Sequence, residues 1–185
     1  MFFVTVDEKV KDAGPRDLIM EIPELGTKII GTTADLVLPY EDFDYQDENE
    51  DYLPERKFSV AIVLNFWKHT VRKMKDNETR YLPLLFEEEG MGCFKVIKEK
   101  NELRLAFGFT SNFAGDGLNI DRDSLEHFSK SVHSFEVFTM SVFSSPRRIF
   151  QVTRKIDNPD EPLVSFNISI DEFIQDVNNS RNKLR

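Results

Sequence analysis

Between Phe94 and Phe109 apolar and polar residues alternate on both sides of the short polar stretch Glu99-Lys100-Asn101-Glu102. That pattern restricts the local backbone to an antiparallel hairpin with one buried face. Other strand signals surround it. From Phe58 to Trp67, Phe58, Val60, Ile62, Leu64 and Phe66 recur at period two while Ala61, Val63 and Trp67 partly fill the other side, which predicts a central strand covered on both faces. Lys68 to Asn77 is then either its exposed continuation or a short helix. In the first third, the apolar pieces Phe2–Val6, Leu18–Ile22, 28–30 and 34–38 are separated by Gly14-Pro15, Pro23, Gly26, Gly31 and Pro39, a punctuation that suits short strands and turns rather than long helices. Residues 134–143 and 149–156, around Ser144-Ser145-Pro146, and residues 163–170 are further strand candidates.

Two segments carry helical signals instead. Over residues 121–134, Leu125, Phe128 and Val132 form one apolar stripe, with Asp123 as the expected N-cap and Glu126 three residues on. Near 170–180, Ser169 and Glu172 make a second capping box ahead of Phe173, Ile174 and Val177, and the polar residues from Asn178 onward are expected to fray. The expected fold is α+β. It is mainly antiparallel sheet, with about seven to nine short strands and a partly sandwich-like arrangement, plus these two helices.

The 185 residues fit one domain, 1–185, since no repeat or linker divides them and the chain is long enough for a core without disulfides or metals. Seventeen Phe against one Trp and four Tyr predict a core filled by rings that need no hydrogen-bond partner. Cys93 is the single cysteine, which excludes an intrachain disulfide and favours a reducing, cytoplasmic setting. The apolar run Met1–Val6 stops at Asp7, Glu8 and Lys9, too soon for a signal peptide, and no stretch is long enough to span a membrane. The Asn-x-Ser/Thr matches at Asn77 and Asn167 therefore read as chance.

Catalytic, cofactor and metal signatures are lacking. Gly108, Gly115 and Gly117 have the wrong spacing for a phosphate loop. His127 and His133 lie six apart, on different faces of a helix, and with His69 they read as ordinary surface or half-buried side chains. Cys93 reads as a buried, inert thiol. Asp42 and Asp44 suggest an EF-hand, but such a loop needs Gly where Asp47 stands and Glu where Leu53 stands.

The distinctive feature is electrostatic. Net charge is −9, and Tyr40–Tyr52 (YEDFDYQDENEDY) holds seven carboxylates and no base. The segment reads as an acidic surface loop over 40–54, and its field disfavours nucleic acid and anionic membranes as direct partners. Its aromatic residues suit interface anchoring and its carboxylates suit pairing with Arg or Lys. The candidate partner-binding residues are thus Glu41, Asp42, Phe43, Asp44, Tyr45, Asp47, Glu48, Glu50, Asp51 and Tyr52. The expected function is a non-catalytic, cytoplasmic acidic protein that blocks a basic protein such as a toxin domain, in the style of a bacterial immunity protein or antitoxin. A basic patch at Arg147, Arg148, Arg154 and Lys155 faces the acidic segment, an acidic partner, or neither. One alternative is an enzyme or small-ligand protein with a pocket between the sheet and helix 121–134, a lid at 110–117, and Asp116, Asp121 or His127 nearby. Another is an adaptor subunit of a larger assembly, which would expose a broad apolar patch.

Overall fold

The segment expected to be the central strand is a helix. In the computed structural model α1 runs over Glu55–Lys73, and every residue from Ser59 to Trp67 is buried. An apolar run without a polar stripe has the same appearance in a strand covered on two faces and in a helix covered all round, so length decides between them. Here no Gly or Pro interrupts the chain from Glu55 to Leu82, and a helix satisfies its own backbone without a neighbouring strand on each side. Lys68–Lys73 continues the same helix, ending on the exposed bases Arg72 and Lys73, whose charge complements the helix C-terminus. The structure describes residues 1–10, 16–36, 55–87, 90–110, 122–130, 132, 134–139, 142–144, 151–153 and 162–185.

Two antiparallel sheets pack with α1. The first has the order β1 (Phe3–Val6), β2 (Leu18–Ile22), β3 (Thr27–Gly31), β9 (Gln151–Thr153) and β8 (Val142–Ser144). Its registers pair Phe3 with Glu21, Lys28 with Thr153, and Val142 with Thr153. Alternation is clean: Val4, Leu18, Met20, Ile22, Ile29 and Val152 are buried, whereas Thr5, Ile19, Glu21, Lys28 and Gln151 lie on the outer face. The second sheet has the order β10 (Ser165–Ser169), β6 (Glu102–Thr110), β5 (Gly90–Glu99) and β4 (Thr79–Glu87). The expected hairpin is β5–β6. Glu99 pairs with Glu102, leaving the two-residue loop Lys100-Asn101, in which Lys100 takes a left-handed φ of 58°.

Beyond β10, the same edge of β6 receives β7 (Glu136–Val137). A Cβ on Gly108 would lie 2.1 Å from the Glu136 carbonyl, so only glycine lets β7 approach. The expected strand over 134–143 is in fact two strands in different sheets, β7 on β6 and β8 on β9. At one corner the sheets meet directly. Leu36, after the 3₁₀ turn Thr33–Asp35, bridges to Leu85 of β4, and Gly31 of β3 lies against the same Leu85 side chain.

The α+β, mainly antiparallel architecture is as expected, with ten strands and three helices among the described residues. Two helix boundaries differ. Helix α2 spans Arg122–Lys130, so Asp123 is its second residue rather than its N-cap, and Val132 lies beyond its end. Helix α3 spans Ile170–Leu184 behind the expected capping box: Ser169 Oγ accepts from the Glu172 amide at 3.2 Å, and Glu172 Oε2 accepts from the Ser169 amide at 3.1 Å. It does not fray after Asn178, because Ser180 and Leu184 continue the buried face of Phe173 and Val177. Among the described residues no helix is long and apolar enough to cross a membrane.

Trp67 is where these pieces converge. It is fully buried, with its ring edge-on to Phe2 ahead of β1 (6.4 Å) and to Phe94 of β5 (5.6 Å), and Phe2 in turn meets Phe173 of α3 (5.4 Å). Its Nε1 donates to the Pro83 carbonyl of β4 at 2.8 Å. Truncating Trp67 to Ala is expected to cost about 3–5 kcal/mol in chemical denaturation. Trp67→Phe keeps most of the packing but strands the Pro83 carbonyl, with a smaller expected loss of about 1–3 kcal/mol.

Candidate functional site

The ten candidate partner-binding residues, Glu41 through Tyr52, lie outside the described residues, but Leu36 before them and α1 after them are described. Thr33, shortly before the segment, and Arg56, shortly after it, meet at one buried carboxylate. Asp17, immediately before β2 and fully buried, accepts from the Thr33 amide (2.7 Å), the Thr33 hydroxyl (2.6 Å) and Arg56 Nη1 (3.3 Å). Arg56 Nη1 also donates to the Val10 carbonyl at 3.0 Å. The Asp7 amide donates to the Asp17 carbonyl at 2.7 Å, and Lys57 pairs with Glu8. The chain before β2, the turn before the acidic segment and the first turn of α1 therefore converge on Asp17. Nothing in the sequence marks this cluster, because Asp17 and Arg56 are 39 positions apart and neither belongs to a local motif.

Other candidates resolve into structure. Cys93 lies within β5, is fully buried, and has its thiol pKa pushed far up by burial, which suits an inert thiol. His127 is exposed on α2, His69 is half-buried on α1, and His133 is outside the described residues. Against the second sheet α2 presents Phe128 to Tyr81, and Phe135 packs on the same tyrosine, with ring centroids 6.5 and 5.6 Å apart. Of the proposed lid only Thr110 is described, and it is buried; Asp116, Asp121, Arg147, Arg148, Arg154 and Lys155 all lie outside the described residues. Among the described residues no group of three or more His, Cys, Asp or Glu side chains could hold a metal ion.

A shallow hollow at the opposite end is lined by Asp76, Asn77, Glu99, Lys100, Asn101 and Glu102. Its polar groups join three elements. Asp76 accepts from the Lys100 amide (2.5 Å), the Asn77 amide donates to the Lys98 carbonyl (2.9 Å), and the Ile170 amide donates to the Asn101 carbonyl (2.9 Å). Beside it Glu78 accepts from the Lys75 amide and from Arg80 Nε, each at 2.6 Å. Burial pushes the Glu78 pKa up, but the Lys75 hydrogen bond and the Arg80 charge outweigh it and hold it below the ordinary value. The hollow is a joint between the end of α1, the β5–β6 hairpin and the start of α3.

The chain matches no protein-family model, no curated protein and no solved structure in any of the three comparisons.

Asp17→Ala leaves Arg56 and the Thr33 amide without their buried acceptor, for an expected loss of about 3–5 kcal/mol in urea denaturation. Two carboxylates are expected to give opposite pH dependences. Glu78 has a lowered folded pKa, so its contribution is present above its ordinary pKa and is lost as pH falls through the folded value. Glu78→Gln should accordingly be less stable than the parent at neutral pH, with the gap closing in acid. Asp176 of α3 is raised by burial, against the pull of the Phe2 amide hydrogen bond, so ionising it opposes folding as pH rises through the folded value. Asp176→Asn, which keeps an acceptor oxygen, should gain on the parent as pH rises through that same window.

Proposed function

We propose that this chain is a non-catalytic binding protein that captures and blocks a cationic protein, in the style of a cytoplasmic immunity protein or antitoxin acting on a toxic enzyme. The observation that carries this reading is the run Tyr40–Tyr52, with seven carboxylates and four aromatic rings in thirteen residues and no base among them. Concentrated negative charge steers a basic partner into encounter, and rings beside it supply apolar contact once water is expelled. The chain's own bases are partly engaged elsewhere. Arg56 and Lys57, the first cations after the run, already meet Asp17 and Glu8. Lys28, Arg80, Arg104 and Lys130 likewise face Glu21, Glu78, Glu99 and Glu126. Asp17 supports the reading in a second way, since it joins Thr33 and Arg56, which flank the run in sequence at seven residues before and four residues after it.

The test has two stages. The tagged protein is recovered from its host at low salt, and a basic protein is expected to elute in stoichiometric amount as salt rises. Association rates are then measured for that protein with the parent and with a variant carrying D44N, D47N, E48Q, E50Q and D51N. Neutralisation should slow association about tenfold or more and flatten its dependence on ionic strength. Equal rates and equal salt slopes for the two proteins would refute the reading.

A further inference from the structure

The sheets end in different ways at their outer strands. Along Phe2–Val6 (FFVTV) the outward amides of Phe2 and Val4 donate to Asp176 Oδ2 at 2.8 Å and to Ser180 Oγ at 3.1 Å. On β4, Pro83 has no N–H to offer and its carbonyl accepts from Trp67. Among the described residues β10 has no such cover. It pairs with β6 on one side, where the Phe107 amide donates to the Val164 carbonyl at 3.1 Å and the Ile170 amide to the Asn101 carbonyl at 2.9 Å. Hydrogen-bonded positions alternate along an antiparallel pair, so Val164, Phe166, Ile168 and Ile170 turn their backbone groups toward β6. Ser165, Asn167 and Ser169 turn theirs outward. The Ser169 amide is taken by Glu172 Oε2. The amides and carbonyls of Ser165 and Asn167 have no partner among the described residues.

What surrounds these four groups selects an occupant. Phe166 is half-buried beside them, so an added strand finds apolar surface there. The charge nearby is negative. Asp171 and Glu172 are exposed directly after β10, Glu102 is exposed across the ladder from Ser169, and none of the three forms an ion pair among the described residues. Arg104, opposite Asn167, is already matched by Glu99 at 3.1 Å, and Lys100 in the hairpin loop offsets only part of the remainder. We propose that the outer edge of β10 is a docking site for an extended basic segment of another protein, which joins the second sheet as a further strand through the amides and carbonyls of Ser165 and Asn167. Main-chain hydrogen bonds supply the affinity, and the carboxylates supply the preference for Lys and Arg. The site is separate from residues 40–52 and does not depend on them.

The test titrates isotope-labelled protein with the synthetic octapeptide KVKVKVKV and follows the backbone amides by NMR. Saturable shifts are expected, largest around Ser165 and Asn167, with hydrogen exchange at those two amides slowed. The acidic counterpart EVEVEVEV should bind roughly tenfold or more weaker. N167P, which removes an outward N–H and leaves the β6 ladder intact, should weaken KVKVKVKV by a similar factor, with circular dichroism confirming that the variant is folded. If N167P does not fold, KVKVKVKV methylated on every backbone nitrogen is titrated against the parent instead, and its binding should be lost although its charge is unchanged. Absence of shifts at Ser165 and Asn167 at millimolar peptide overturns the proposal, and so does equal affinity for the two octapeptides. Binding that survives the loss of the pairing amides also overturns it, since that would be charge attraction without an added strand.

Discussion

A helix buried on every side for more than two turns can exist only if other elements supply apolar surface all round it, and that requirement organises this molecule. Helix α1 contacts β1 of the first sheet, β4 of the second, and α3. Two sheets twisted in the usual sense do not close around a cylinder by themselves, and the remaining gap is filled by rings. Trp67 reaches Phe2 on one side and Phe94 on the other while its only polar atom finds the Pro83 carbonyl. The excess of Phe over Tyr and Trp follows from the same geometry, since a ring without a polar atom fits such a core wherever no carbonyl is within reach.

The polar groups buried at the margins of this core serve connections. Asp17 takes an amide, a hydroxyl and a guanidinium from elements far apart in sequence, and Asp176 and Ser180 take backbone amides from an edge strand. Each sits where a regular ladder of backbone hydrogen bonds stops. A buried carboxylate costs desolvation, which raises the Asp176 pKa, and its hydrogen bonds offset that cost while fixing which segments meet.

How much could be read beforehand varied with the range of the interaction responsible. The β5–β6 hairpin and the Ser169–Glu172 capping box were legible because a few neighbouring residues specify them completely. β2 was legible because Leu18–Ile22 is short and bounded by Pro23. Helix α1 was misread because total burial erases the periodicity that separates helix from strand, and only its length held the correction. The end of α3 was misread because Asn178–Arg185 looks polar by composition, although Ser180, Arg181 and Leu184 face inward. The Asp17 cluster was invisible, since its partners come together only in three dimensions. The acidic run was the plainest feature of the sequence, and its consequence for binding is a matter of partner chemistry that no periodicity encodes.

The bond between Phe2 and Asp176 closes a loop of 174 positions. On a ribosome, synthesis proceeds at about 5–20 residues per second, so β1 leaves the exit tunnel many seconds before the helix that covers it has been made. Throughout that interval FFVTV is an uncharged, strand-prone segment without its cover, and α1 in turn lacks the later strands that bury it. The outward amides of Phe2 and Val4 thus receive their acceptors only after Asp176 and Ser180 have been synthesised, so this part of the fold closes last.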